Sequence, residues 1–133
     1  MDLTELFGPV IHRYTRAQAI ADGALIDVTP TAREAGFVHP VALTANAWAE
    51  AVAWTRDNDE YQDEAGRLWD VLTMARVTIR GTGTTDTDRV EFRVLRIPNT
   101  PRATRPRLTS LVIHIGPGDD GEPVLTVMTP TED

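Results

Sequence analysis

The chain has 133 residues, 41% hydrophobic and 25% charged, with 20 acidic against 13 basic side chains and a formal net charge of -7. It contains no cysteine and every base is arginine, which excludes disulfides, thiolate nucleophiles, thiolate metal sites, Schiff-base catalysis and the P-loop lysine. A chain of this length buries roughly two-thirds of its unfolded surface without metal or disulfide support, so a single domain over residues 1–133 is expected.

The charge is segregated. Residues 1–66 carry 4 arginines and 11 acids, residues 67–107 carry 9 arginines and 4 acids, and residues 108–133 carry 5 acids and no base. An acidic surface disfavours nonspecific nucleic-acid binding, while the basic middle offers a local anion contact. The opening "MDLTELFGPV" holds Asp2 and Glu5 and no long apolar run. Neither a secretory signal nor a membrane anchor is therefore expected, and the expected location is cytoplasmic.

In chain order, "YTRAQAIADGAL" predicts a short helix capped by Thr15, with Ala17, Ile20 and Ala21 as its apolar stripe and Gly23 at its left-handed end. "ALIDVTP" predicts an extended run, and "PTAREAG" a helical turn or two opened by Pro30 and closed by Gly36. "FVHPVALT" is extended because Pro40 pushes His39 out of helical geometry. "TANAWAEAVAWTRDN", capped by Thr44, is the best helix pattern, with Trp48 and Trp54 expected in the core, and the acidic "RDNDEYQDE" is expected as a solvated loop.

Two patterns compete over Tyr61 to Arg80. As a helix, Leu68, Val71, Leu72, Ala75 and Ile79 form one stripe and Asp63 caps it; as a strand, Trp69, Val71, Thr73, Ala75, Val77 and Ile79 share a face. The β-branched "VTIR" and a hairpin-like "DEAGR" favour the strand. Three more strands follow in "RVEFRVLRIP", "LTSLVIHIG" and "PVLTVMTP". The expected fold is α+β, a four-stranded antiparallel meander over residues 67–129 covered on one face by the N-terminal helices.

Four stretches, "IHRYTRAQAIADGALIDV", "AREAGFVHPVALT", "YQDEAGRLWDVLTMAR" and "IGPGDDGEPVLTVM", occur in this order and span nearly the whole chain. Together they resemble an uncharacterised family of small bacterial proteins carried on conjugative plasmids, integrative elements and phages. The resemblance implies a mobile-element setting and brings no activity, cofactor or catalytic residue with it.

Two constellations stand out as anion sites. In "HRYTR", His12, Arg13, Tyr14 and Arg16 precede a helix N-terminus, where backbone N–H groups and guanidinium groups attract phosphate; the competing account is a helix entry with Tyr14 packed and Arg16 solvated. In "RIPNTPRATRPRL", Arg96, Arg102, Arg105 and Arg107 lie on a proline-interrupted connection suited to phosphate or carboxylate, against a plain solvated loop. Asp63, Glu64 and Asp70 beside Arg67 invite an acid/base role but are explained as well by ion pairing. His114, between Ile113 and Ile115, is expected as a hydrogen-bonded sheet histidine rather than a ligand, and "GPGDDGEP" as a hairpin rather than a calcium loop. No GxSxG, P-loop, Rossmann or zinc spacing occurs, so no catalytic residue, metal or cofactor is assigned.

The leading expectation is a noncatalytic interaction protein of a mobile element that counters a host defence, its acidic flanks binding a basic surface on a host or element protein. The alternatives are an enzyme or binding protein for a phosphorylated ligand or nucleotide acting through His12 to Arg16, and an accessory nucleic-acid binder using the arginine loop. No membrane partner is expected, and the oligomeric state is left open.

Overall fold

A computed structural model describes residues 14–55, 62–82 and 88–132. In chain order its elements are α1 (Arg16–Asp22), β1 (Leu25–Asp27), α2 (Thr29–Glu34), β2 (Val41–Thr44), α3 (Ala45–Ala51), α4 (Glu64–Thr82), β3 (Arg89–Arg96), β4 (Arg107–Pro117) and β5 (Pro123–Met128).

The N-terminal elements start and stop where their caps dictate. Thr15 Oγ accepts from the Gln18 N–H at 3.0 Å while Gln18 Oε1 accepts from the Thr15 N–H at 2.9 Å, a reciprocal capping box. Gly23, at φ 82°, closes α1 in the left-handed region that side chains avoid. Pro30 lies in the first turn of α2, and Thr44 Oγ caps α3 by accepting from the Ala47 N–H at 3.1 Å. α3 ends at Ala51, short of Trp54; Trp48 packs partly buried against the core and Trp54 is half-buried.

The strand expected over residues 67–80 is instead the long helix α4. Leu68, Val71, Leu72 and Ala75 are all buried, whereas Trp69 and Val77 are exposed, a distribution that a strand's alternation would split between two faces. The energies favour the helix. β-branched residues cost a few tenths of a kcal/mol each in a helix, roughly, while burying each large apolar side chain contributes about 1.5–3 kcal/mol. Thr78 is accommodated by a bond from its hydroxyl to the Met74 carbonyl at 2.8 Å. "DEAGR" is not a hairpin but the start of this helix, where Asp63 Oδ1 accepts from the Gly66 N–H at 2.6 Å.

The sheet is correspondingly five-stranded and mixed rather than a four-stranded antiparallel meander, with strand order β1-β2-β5-β4-β3. β2 and β5 run parallel, and the other neighbours are antiparallel. β5 is central, and its run of buried Val124, Leu125, Val127 and Met128 on both faces fits that position. Leu43, Leu125, Ile113 and Phe92 face α2, α3 and α4 in one core cluster with Ala32, Ala47 and Leu72. α1 lies across the opposite face, where Arg16 reaches Thr126, whose side chain alternates away from Leu125 and Val127. The helices thus do not all come from the N-terminal half, nor all cover one face.

Candidate functional site

The β4–β5 hairpin brings its acidic tip against the start of α1. Gly121, at φ 82°, and a bond from the Gly118 N–H to the Glu122 carbonyl at 2.6 Å close the turn. Asp119 then reaches α1: Oδ1 accepts from the Arg16 N–H at 2.8 Å and Oδ2 from the Ala17 N–H at 3.0 Å. Those two N–H groups, with the Arg16 charge, hold the Asp119 carboxyl below its usual range. The anion position at this helix N-terminus, which "HRYTR" suggested for a phosphate, is thus filled by the chain's own carboxylate. Two lone pairs of that carboxylate still face outward, since each oxygen has accepted one bond.

Arg16 is turned inward. Its guanidinium donates to Thr126 Oγ1 and to the Leu125 carbonyl, both at 2.8 Å. Burial pushes its pKa down while the charges of Asp27, Asp119 and Glu122 push it back up, which locates those three acids around it. Tyr14 is 60% exposed and donates its hydroxyl to Asp22 Oδ2 at 2.8 Å; that bond, with the Asp22 charge, raises the phenol pKa. Tyr14, Arg16, Leu25, Gly118 and Asp119 line a cleft of about 590 Å³. Glu122 Oε2 also accepts from the Asp120 N–H at 3.0 Å, which ties these two acids together within the hairpin tip. The cleft therefore combines an exposed phenol ring with carboxylate acceptors, a chemistry suited to a guanidinium or ammonium group.

The remaining predicted residues are not brought to this place. His12 and Arg13 lie outside the described residues. Arg102 and Arg105 are exposed on the β3–β4 connection and Arg107 is exposed at the first residue of β4, at the other end of that strand, whose 11 residues span roughly 35 Å at ~3.3 Å per residue. Arg96 is not part of that exposed group. It faces the core at the end of β3, is 6% exposed, and donates to Asp70 Oδ2 at 3.0 Å and to the Arg67 carbonyl at 3.4 Å. Strand alternation explains this, because Arg96 shares the inward face with Phe92 and Val94.

A second cluster was not legible as such. Arg67, 2% exposed, donates from Nε to the Val52 carbonyl at 2.9 Å and from one terminal nitrogen to the Ile97 carbonyl at 3.0 Å. Its guanidinium lies 4.9 Å from the centre of the Trp54 ring. Burial and then the charge of Arg96 lower its pKa to about 10, against the opposing pull of Glu64 and Asp70. Of the carboxylates singled out beside Arg67, Glu64 and Asp70 thus offset buried positive charge, while Asp63 caps the start of α4. His39 is exposed in its loop, and His114 Nε2 lies 3.3 Å from Asp88 Oδ2. Among the described residues no group of three or more His, Cys, Asp or Glu is arranged to hold a metal ion, and no helix is long and apolar enough to cross a membrane.

The model of a family of unknown function, DUF6573, matches residues 5–133 of the chain. Comparison with curated proteins and with solved structures gives no match.

Proposed function

The chain belongs to the family of unknown function DUF6573, and from that premise we propose that it is a noncatalytic interaction protein whose acidic end docks a basic protein surface. The observation that carries this is the charge around the cleft. Asp27, Asp119 and Glu122 surround Arg16, Asp22 is bonded to the cleft residue Tyr14, and the base among them is turned inward onto Thr126 and Leu125. The outward surface is thus an array of carboxylates and a phenol ring, and the bonds from Asp119 to α1 fix the hairpin tip before any partner arrives, which lowers the ordering cost of binding. Complementary charge of this kind speeds association and sets orientation. In the mobile-element setting that the family resemblance implies, the fitting partner class is a host protein with a basic nucleic-acid-binding face, bound to counter a defence.

The test is a pull-down from host lysate with the full chain and with a D22N/D120N/E122Q variant, which leaves the Asp119 anchor intact. The expected outcome is a basic partner that elutes as salt is raised and is retained at least about tenfold less by the variant. A partner held equally by the variant, or none whose retention weakens with salt, overturns the proposal. A second reading draws on exposed Arg102, Arg105 and Arg107. Nucleic-acid binding through them predicts a steep salt slope that flattens when all three are changed to Gln.

A further inference from the structure

We propose that β3 is a self-association edge, and that two copies of the chain pair their β3 strands antiparallel about a two-fold axis through Phe92, joining two five-stranded sheets into one. β3 ends the sheet, and among the described residues no strand pairs with its outer edge. Its backbone polarity follows from the ladder with β4. The Asp88 carbonyl accepts from the Ile115 N–H at 2.8 Å, so alternation turns the groups of Val90, Phe92 and Val94 toward β4 and those of Glu91, Arg93 and Leu95 outward. The side chains of Glu91, Arg93 and Leu95 are all exposed.

Symmetry restricts the register. A two-fold axis perpendicular to the sheet keeps each face on its own side, so opposed residues have the same parity and the axis passes through a residue. An axis through Glu91 sets Glu91 against itself and Arg89 against Arg93; one through Arg93 sets Arg93 against itself. An axis through Val94 offers no charge pair, and one through Val90 pairs Arg89 with Glu91 but overlaps only Arg89 to Glu91. The axis through Phe92 places Glu91 opposite Arg93 of the second copy twice, sets Val90 against Val94, and overlaps the strands from Arg89 to Leu95. Arg96, the inward charge that would guard an edge, falls outside that overlap.

The flank of the edge is apolar. Met74, Leu95 and Leu108, exposed by 40%, 62% and 63%, line with Thr73 and Val94 a groove of about 380 Å³ between α4 and β3. In this register Leu95 lies opposite Arg89 of the second copy, so each groove is flanked by the Arg89 end of the other copy's β3, which covers part of what each chain leaves open.

Sedimentation equilibrium on the full chain tests the proposal. The expected mass at high concentration is about twice the 14.7 kDa of the chain. E91R alone and R93E alone each place like charges in both pairs and weaken association by at least about tenfold. The E91R/R93E double variant restores it, and mixing the two single variants yields a heterodimer, which a misfolded variant cannot form. A chain that remains monomeric at high concentration overturns the proposal. So does a dimer indifferent to R93E, or a double variant no better than its singles.

Discussion

Arg67 is a charged side chain doing what a core residue does. It ties the end of α3, through the Val52 carbonyl, to the segment after β3, through the Ile97 carbonyl. Among the described residues its second terminal nitrogen and Arg96 Nε are buried without a hydrogen-bond partner, and the two cations repel. Because its folded pKa, about 10, lies below arginine's ordinary value, the charge penalty is present throughout the neutral range and is relieved only as pH rises above about 10. Even so, removing it leaves two carbonyls unsatisfied and a void. Arg67→Ala is expected to lower the unfolding free energy in urea by roughly 3–5 kcal/mol, and Arg67→Lys to recover little, since an ammonium lacks the planar fork that reaches both carbonyls. A loss under about 1 kcal/mol would refute this role. The local sequence "DEAGRLWD" showed an arginine among acids; it did not show that the arginine points inward.

At the level of elements, α4 is the instructive case. The stripe Leu68, Val71, Leu72, Ala75 was readable as a helix face, yet local β-propensity at "VTIR" pointed the other way. Local preference differs by tenths of a kcal/mol, whereas the core that rewards the helical stripe is assembled not only from the neighbouring β3 but from β2, β4 and β5, which lie further away in sequence. Val71 and Val77 separate the alternatives, because they share a face in a strand and not in this helix. Val71→Asp, which buries a charge at a site with no exposure, is expected to prevent cooperative folding or cost about 3 kcal/mol or more. Val77→Asp, at a site 57% exposed, is expected to change the urea midpoint by no more than about 0.5 kcal/mol equivalent. Equal damage at both would contradict the helix. The caps were a different matter: Thr15, Gly23 and Thr44 act as expected because a cap needs only neighbours three or four residues away.

Across the whole molecule, two acids stitch distant segments together. Asp119 ties the β4–β5 hairpin to α1, and Glu132 ties the C-terminal turn to the start of α3, accepting from the Thr44 hydroxyl at 2.8 Å, the Asn46 amide at 3.0 Å and the Thr129 N–H at 2.7 Å. Burial pushes the Glu132 carboxyl up, but those bonds outweigh it and hold it below the ordinary 4.5, as Asp119 is held below 3.8. A depressed folded pKa means the contribution is complete above the unfolded value and is lost as pH falls through the folded one. Stability in urea is therefore expected to be level from about pH 7 to 5 and to decline below about 4.5, with a shallower decline in Glu132→Gln. An unchanged slope in that variant would show that Glu132 is not responsible.

Composition, charge segregation, the caps, the extended backbone of the segments that become β1 and β2 and the hairpin at "GPGDDGEP" were determined by the sequence itself, because each rests on interactions within a few residues or on totals. The tertiary structure alone decided that residues 64–82 coil, that β5 slots between β2 and β4, that Arg96 turns inward while Arg102, Arg105 and Arg107 stay out, and that Asp119 fills the helix end offered by "HRYTR". The physical reason is common to all four. Each depends on a partner between about 14 and 103 positions away, and the free energy of such contacts comes from surface and charge that meet only when the chain is folded.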